Sequence, residues 1–331
     1  MRTILFILCC LWGVSGCQST STAVFGPKLF ADATRVTLLA VAYEPELAGV
    51  LSRIEADPAA TISKTVTFRG ITYRIGQYHD MPIVVFATGI SIPNAAMSMQ
   101  MALDYFPVRQ VIFMGVAGAI NPRWHPGDVV IPARWYYHDE SIYAQPSDEG
   151  QTGYRLPAHY QRFVNALPER QRTDSHLPDY QPFGMIHPYE MSVSFDDDNG
   201  AVPVSYFEAS DRLLAAARRA VSALPPQAVT SDRNATVHIG GNGVSGSVFV
   251  DNRDYRKWIE KVYHADIAEM ESAAVAQVCA VNTTPWIIVR AVSDLAGGQE
   301  GVNTEDTFAV NAAHIGANVA FALLNELAGQ P

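Results

Sequence analysis

Continuous apolar runs alternate with amphipathic, helix-like segments along most of this chain, and that alternation restricts the possible folds more than any other feature. The main runs are VTLLAVAY (36–43), MPIVVFAT (81–88), VRQVIFMG (108–115) and PWIIVRAVSD (285–294). Apolar runs of this length are typical of strands buried on both faces, as in parallel sheets. We therefore predict an α/β fold of three layers, in which helices flank a mostly parallel central sheet.

One domain, spanning 34–331, accounts for these segments and carries a long insertion. From 145 to 203 the sequence becomes polar and proline-rich, so we place the insertion near 141–205. Directly after it, Ser205-x-x-Glu208 has the spacing of a helix capping box. This pattern predicts a helix that begins at Ser205 and ends near Leu224.

Several classes of partner are disfavoured by the sequence. The chain has 33 acidic and 23 basic residues and no basic run, so we expect no nucleic-acid partner. Gly241-x-Gly243-x-x-Gly246 matches a dinucleotide-binding pattern, but SVFVD (247–251) follows and predicts a strand where that pattern requires a helix. No further ligand residues at a suitable spacing complete a metal site with His125, His138 and Asp139. We therefore expect no metal and no cofactor.

The N-terminal residues have the features of an export signal. Arg2 precedes an apolar run over 4–14, which is too short to span a bilayer and has the length of a signal-peptide core. The run ends in Val14-Ser15-Gly16-Cys17, which resembles the bacterial lipobox, and acyl chains on Cys17 would anchor the protein. We expect a lipoprotein signal peptide over 1–16 and a lipidated tether over 17–33. The expected location is the bacterial cell envelope, at the outer membrane facing the periplasm, because Gln18 and not Asp follows the cysteine. The alternative is an ordinary secretory signal with an incidental cysteine.

Acidic side chains follow three of the predicted strands at their carboxyl ends. They are Glu44 and Glu46, then Glu269 and Glu271, then Asp294, and Arg290 and Ser293 lie beside the last of them. Ligands of open α/β sheets bind at this edge. Cleavage of a glycosidic bond uses two such acids, one to protonate the leaving group and one to activate water.

These residues also resemble a known family. Glu269-Met270-Glu271-Ser272-Ala273-Ala274 and Arg290-Ala291-Val292-Ser293-Asp294 are similar to the signature of the 5′-methylthioadenosine/S-adenosylhomocysteine nucleosidases, which belong to the nucleoside phosphorylase superfamily. The segments AVAYEPEL, ATGISIPNAA, MGVAGAI, HPGDVVIPARWYYHDES and GVSGSVFV resemble further parts of the family in the same order. The resemblance covers roughly 36–140 and 236–327 and leaves the middle unmatched.

The resemblance implies hydrolysis of a purine nucleoside that carries adenine. In that reading Glu46 is the general base that activates water, and Asp294 is the acid that protonates the purine N7. Glu271 binds the ribose hydroxyls. The other implied substrate contacts are Met270 against the sugar, Phe249 stacked on the base, Val250 through its main chain, Arg290 near the base and sugar edge, Ser293 beside the acid, and Ala117 and Gly118 in a small-residue turn over 116–119. The resemblance also implies a homodimer.

Two alternatives to a nucleosidase stay open. A nucleoside phosphorylase would need a cationic cradle for phosphate, usually made by Arg. The family's phosphorylases carry an Arg just before the glycine-rich turn, where this chain has Ile112-Phe113-Met114-Gly115, so water is favoured as the nucleophile. The other alternative is a non-catalytic nucleoside-binding lipoprotein. Val116 stands where the nucleosidases usually have Ser, and the insertion near 141–205 could change the pocket around the 5′ substituent.

Overall fold

The structure is a computed structural model that describes residues 35–146, 154–155, 185–188, 190–195 and 200–329. In chain order its elements are β1 (Val36–Val41), α1 (Glu44–Ala56), β2 (Ala60–Phe68), β3 (Ile71–Tyr78), β4 (Met81–Ala87), α2 (Ile92–Tyr105), β5 (Val108–Ala119), β6 (Val129–Ile131), β7 (Arg134–Tyr137), β8 (Ser141–Pro146), β9 (Tyr154–Arg155), β10 (Met185–Pro188), β11 (Met191–Ser194), β12 (Ala201–Val204), β13 (Phe207–Glu208), α3 (Asp211–Ala223), β14 (Val237–Ile239), β15 (Asn242–Ser245), α4 (Arg253–Tyr263), β16 (Ala265–Glu269), α5 (Ser272–Val281), β17 (Trp286–Asp294) and α6 (Glu305–Ala328).

A mixed sheet of twelve strands forms the middle layer of the described residues. Its main order is β13-β7-β15-β16-β5-β1-β4-β3-β2, and β17, β6 and β14 join it through β5. At the centre β1 runs parallel to both β4 and β5, and β17 runs parallel to β5. Antiparallel pairing occurs along β2-β3-β4 at one edge and where β16 meets β5. The predicted α/β class is confirmed.

Burial on both faces explains the central strands, and helices cover both faces. Every residue of β1 and of β17 is buried. α6 packs on β17 and β5 with α1 and α3 beside it. α2 and α5 pack against each other, and α5 lies on β17, β5, β15 and β7. Helices α1, α3 and α6 form one layer, and helices α2 and α5 form the other. α6 is long and apolar enough to cross a membrane, but most of it is buried in this core.

Three local predictions are wrong, and each has a physical reason. Ser205 does not begin a helix: its hydroxyl donates to Glu190 (2.6 Å), Glu208 lies in β13, and α3 begins six residues later at Asp211. The small residues over 116–119 form no turn, because β5 continues through them, paired with β17 and β16. SVFVD forms no strand, because β15 ends at Ser245 and the chain then follows the rim of a cavity.

The predicted leader and tether over 1–33 lie outside the described residues, as does most of the predicted insertion. The described parts of the insertion form two small sheets separate from the main one, β10-β8-β9 and β11-β12. The domain bounds and the extent of the insertion therefore stay predictions.

Candidate active site

A cavity of about 320 Å³ lies where β1, β16 and β17 end and where β5 passes its last residues. Its walls combine small and apolar side chains with several acids. The lining residues are Ala42, Tyr43, Glu46, Ile90, Val116, Ala117, Gly118, Val248, Phe249, Val250, Ala268, Glu269, Met270, Glu271, Ser293, Asp294 and Glu305. Of the ten residues predicted to act on or bind substrate, nine line this cavity, and Arg290 does not.

Glu46 is buried in the first turn of α1, the position where a helix favours negative charge. One carboxylate oxygen accepts from the amides of Ala42 (2.7 Å) and Tyr43 (3.4 Å), and the other accepts from the amide of Val116 (2.8 Å). Burial raises the pKa of Glu46, while Arg290 and these amides act in the opposite direction. The carboxylate is therefore held in a fixed orientation with an elevated proton affinity, as a general base requires.

Arg290 lies behind the carboxylates, fully buried in β17. Its guanidinium is 3.4 Å from Glu46, 2.5 Å from Glu269 and 3.9 Å from Glu271, and it lies over the ring of Phe113. A buried cation with these partners offsets the repulsion between the acids around it. The sequence reading put Arg290 at the base and sugar edge of the substrate, whereas in the structure it supports the residues that line the cavity.

Glu269 and Glu271 both precede α5: Glu269 ends β16, and Glu271 is the residue directly before the helix. Glu269 accepts from the hydroxyls of Ser245 and Ser272 and from the amide of Ser272, which fixes the helix N-terminus. Glu271 accepts from the amide of Ser91 at 2.8 Å. Burial first, and then the nearby Glu269, raise the pKa of Glu271 from 4.5 to about 8, and Arg290 counters the rise.

Ser91 holds its amide toward Glu271 with an unusual backbone. Its φ is 84°, in a region that non-glycine residues rarely occupy, at a cost of about 1–3 kcal/mol. The preceding Gly89 has φ 86°. Such conformations persist where the surrounding structure enforces them, and they cluster at functional sites. The turn between β4 and α2 is therefore shaped to meet Glu271.

Asp294 ends β17 and also lines the cavity. Its carboxylate accepts from the hydroxyl of Ser293 (2.9 Å) and the amide of Ala296 (2.7 Å), with the amide group of Asn303 at 3.5 Å. Burial raises the pKa of Asp294 and the nearby Asp251 raises it further, against these hydrogen bonds. A raised pKa keeps a carboxylic acid protonated at a pH where an exposed Asp would be ionised.

Apolar side chains form the rim of the cavity. Phe249 keeps 58% of its surface exposed, and Ile90 (47%) and Val248 (43%) lie in the same rim. Gly118 faces Asp294: a Cβ at this position would lie 2.9 Å from its Oδ1, so a larger residue would crowd the acid. Among the described residues no group of His, Cys, Asp and Glu is arranged to hold a metal ion.

Three polar residues of the cavity had no role in the sequence reading: Tyr43, Glu269 and Glu305. Glu269 had a detectable signal, since it ends a predicted strand two residues before Glu271. Tyr43 is the last residue of the first apolar run, but a tyrosine there is equally typical of a core residue. Glu305 precedes a long helix, where an acid is ordinary. Only the fold brings Tyr43 and Glu305 together, with their side-chain oxygens 3.1 Å apart.

Comparison with known proteins places this arrangement in a family. A family model described as the phosphorylase superfamily matches residues 37–328. A 5′-methylthioadenosine/S-adenosylhomocysteine nucleosidase of Geobacillus kaustophilus is 28% identical over 275 residues, which is 82% of this chain and 90% of that protein. The nucleosidase of the same name from Colwellia psychrerythraea is 25% identical over 290 residues, 87% of this chain and 95% of that protein.

Solved structures share the fold. The futalosine hydrolase of Helicobacter pylori superposes with a TM-score of 0.61 at 18% identity, covering 88% of this chain and 98% of its own. A 5′-methylthioadenosine/S-adenosylhomocysteine nucleosidase from S. pneumoniae, solved with the transition-state inhibitor MT-ImmA, gives 0.61 at 23% identity, with coverages of 88% and 99%. The resemblance inferred from the motifs is thereby confirmed, and the chain belongs to the phosphorylase superfamily, where its relatives include the 5′-methylthioadenosine/S-adenosylhomocysteine nucleosidases.

Proposed function

We propose that this protein is a nucleosidase that hydrolyses the N-glycosidic bond of an adenine nucleoside, such as 5′-methylthioadenosine or S-adenosylhomocysteine. Its curated relatives bear the name of nucleosidases for these two compounds, which supports a hydrolase acting on N-glycosyl bonds. The observation that carries the proposal is the acidic lining of the cavity. Glu46, Glu269, Glu271, Asp294 and Glu305 line it, and no Lys, Arg or His is among its described lining residues.

An acidic lining suits the reaction. Cleavage of an N-glycosidic bond passes through a sugar with oxocarbenium character, and fixed negative charges close to the developing cation stabilise it. Glu271 binds the ribose hydroxyls through its carboxyl group, while Glu46 and Glu269, which contact Arg290, lie in the same cavity. Met270 packs against the ribose, and Ala117 and Gly118 allow the sugar to approach β5 closely.

Glu46 and Asp294 act on the two ends of the breaking bond. Glu46 removes a proton from a water molecule that attacks the anomeric carbon, and its three amide donors keep the carboxylate aimed while the charge changes. Asp294 protonates N7, so adenine leaves as a neutral base, and Ser293 orients the acid. Phe249 stacks on the base, and Val250 contacts it through the main chain.

The same charges disfavour the alternatives. A phosphate nucleophile would enter a cavity walled by acids, and Arg290, the cation that contacts these acids, is fully buried and already paired with Glu46 and Glu269. A protein that only binds nucleosides would not need three buried acids with raised pKa values around one cavity.

Product analysis tests the proposal. The purified protein is incubated with 5′-methylthioadenosine, with and without phosphate, and base and sugar are separated by chromatography. We expect free adenine and a free sugar at a rate that does not depend on phosphate. Recovery of a sugar 1-phosphate would identify a phosphorylase, and intact substrate bound without turnover would identify a binding protein.

We further propose that the protein is anchored to the membrane through Cys17 and acts as a homodimer. The apolar rim formed by Ile90, Val248 and Phe249 supports association, since side chains of this kind are favoured at interfaces. Sedimentation equilibrium of a chain lacking the leader measures the oligomeric state, and a monomer at micromolar concentration would contradict the dimer.

A further inference from the structure

One polar pair in the cavity has no part in the steps above. Tyr43, just after β1, donates its hydroxyl to the carboxylate of Glu305, the first residue of α6, at 3.1 Å. Both side chains are half-buried and both line the cavity. They are separated by 262 positions in the chain, so the contact belongs to the fold and not to a local turn.

The pair offers hydrogen-bond acceptors to a ligand. Burial, and then the negative charges of Glu46 and Glu305, raise the pKa of Tyr43, so the phenol stays protonated and its hydrogen points to Glu305. An ionised carboxylate has about four acceptor positions and no donor, and the phenol oxygen keeps its lone pairs. A ligand group beside this pair is therefore favoured when it donates a hydrogen bond, and most favoured when it is also positively charged.

The remaining part of a nucleoside is its 5′ end. In the proposed function Asp294, Phe249 and Val250 contact the base, Glu271 binds the ribose hydroxyls, and Glu46 faces the anomeric carbon. We propose that Tyr43 and Glu305 bind the 5′ substituent and select nucleosides whose 5′ group donates a hydrogen bond, a hydroxyl or an amine, over those with a 5′-alkylthio group. This inference rests on the proposed function and narrows its substrate class: 5′-methylthioadenosine and S-adenosylhomocysteine are then cleaved, but more slowly than adenosine.

The selection has a physical basis. A thioether has no donor, and packing it against Glu305 would remove water from the carboxylate without replacing its hydrogen bonds. A site built around buried polar groups rejects an analogue that leaves those groups unpaired more strongly than an apolar pocket rejects an extra hydroxyl. The hydrogen bond is therefore expected to change kcat/KM by about tenfold or more between matched substrates.

Four adenine nucleosides separate the possibilities: adenosine, 5′-amino-5′-deoxyadenosine, 5′-deoxyadenosine and 5′-methylthioadenosine. For the full chain we expect kcat/KM for the first two to exceed that for 5′-deoxyadenosine and for 5′-methylthioadenosine by about tenfold or more.

Glu305→Gln keeps an acceptor but removes the charge, so it should lower the preference for the amine more than that for the hydroxyl. Tyr43→Phe should reduce both preferences. Glu300→Gln is the matched control, because Glu300 is exposed and outside the cavity, and it should keep the wild-type order.

The outcomes separate this inference from the proposed function. If 5′-deoxyadenosine or 5′-methylthioadenosine is cleaved as well as adenosine, or if Glu305→Gln leaves the preference for the amine unchanged, the inference is overturned and the nucleosidase stands. If no nucleoside is cleaved, the proposed function fails, and calorimetric Kd values for the same four compounds decide the inference. A tighter Kd for the two donors, with the preference for the amine weakened in Glu305→Gln, supports the inference, and equal or undetectable binding overturns it.

Discussion

At the scale of single residues, the acids of the cavity differ in what surrounds them. Glu46 is held by three backbone amides and faces Arg290, while Asp294 has one backbone amide, one hydroxyl and the repulsion of Asp251. Burial raises the pKa of both, but only Glu46 has a cation beside it to favour the ionised form. Two carboxylates in different environments can therefore serve as base and acid in one reaction.

Asp294→Asn tests the acid. The amide keeps the shape of the side chain but has no proton to deliver to N7, and general acid catalysis contributes about 10²–10⁴-fold, or roughly 3–5 kcal/mol of barrier. We expect kcat to fall by that factor while inhibitor affinity and the melting temperature change little. Ser293→Ala, which only loosens the orientation of Asp294, should lose less. A variant that keeps most of its kcat would show that Asp294 is not the acid.

The raised pKa of Glu271 predicts a pH dependence of stability. Between pH 4.5 and about 8 the folded chain retains a proton on Glu271 that the unfolded chain releases. The free energy of unfolding contributed by this group is therefore fully present below about pH 4.5 and is lost as the pH rises toward 8. In Glu271→Gln the free energy of unfolding should decrease less steeply with pH, by up to about 1.4 kcal/mol per pH unit. Urea unfolding across this range measures the difference.

The exposed Glu44 provides the matched control for that experiment. Glu44→Gln should keep the wild-type dependence on pH, because its side chain does not line the cavity. If the free energy of unfolding depended on pH in the same way in the wild type and in Glu271→Gln, Glu271 would be ionised throughout, contrary to its buried position.

Residues that end a strand within a recognisable motif were predictable, and residues paired across the fold were not. Glu46, Glu271 and Asp294 each follow an apolar run, so the sequence alone placed them at one edge of the sheet. Tyr43 and Glu305 carry no local signal, because their relation depends on how α6 packs beside α1. The supporting position of Arg290 also could not be deduced, since a strand's sequence does not tell which of its residues is covered by neighbouring acids.

At the scale of secondary-structure elements, β5 determines how closely the acids approach the sheet. Gly115 lies where Arg290 and Glu46 meet, and a Cβ at this position would overlap atoms of both side chains. Gly118, further along the strand, faces Asp294. The glycines at these two positions of β5 allow carboxylates from α1 and β17 to lie against the backbone.

Gly115→Ala should therefore disrupt both the ion pair and catalysis. Overpacking of this kind costs about 1–3 kcal/mol of stability, and a displacement of a catalytic group by about 1 Å can cost about 10²-fold in rate. We expect a lower urea midpoint and a reduced kcat. Gly301→Ala is the control, since nothing lies within 4 Å of the added methyl group. Equal activity of the two variants would show that β5 tolerates a side chain at Gly115.

Local patterns identified most elements but not all of their ends. The small-residue segment SAAVAQVCAV was predicted as a helix and forms α5. The capping-box pattern at Ser205 failed because its hydroxyl has a competing partner in Glu190, which lies 15 residues earlier in the chain. The apolar segment SVFVD resembles a strand, yet Val248 and Phe249 stay exposed at the rim of the cavity. Tertiary contacts and the cavity determine the conformation of these segments, and a short stretch of sequence contains no information about either.

At the scale of the whole molecule, the proposed anchor rests on one sulfur atom. Cys17→Ser removes the thiol that receives the lipid, so the protein should leave the membrane fraction or remain an unprocessed precursor. Fractionation of cells followed by mass determination of the N-terminus measures this. Cys279→Ser is the control, because Cys279 is a buried thiol in α5 and should not affect partition. A processed serine variant that still partitions with membranes would contradict the lipoprotein assignment.

The ion pair between Glu46 and Arg290 can form only late in the synthesis of the chain. The two residues are 244 positions apart, and Arg290 lies in the last strand of the sheet. At about 5–20 residues per second, a ribosome adds Arg290 roughly 10–50 s after Glu46. Until then the nascent chain holds an acid without its counter-ion and lacks Asp294 altogether. We therefore expect a chain released before Asp294 is added to be inactive, because it lacks both the counter-ion of Glu46 and the proposed acid.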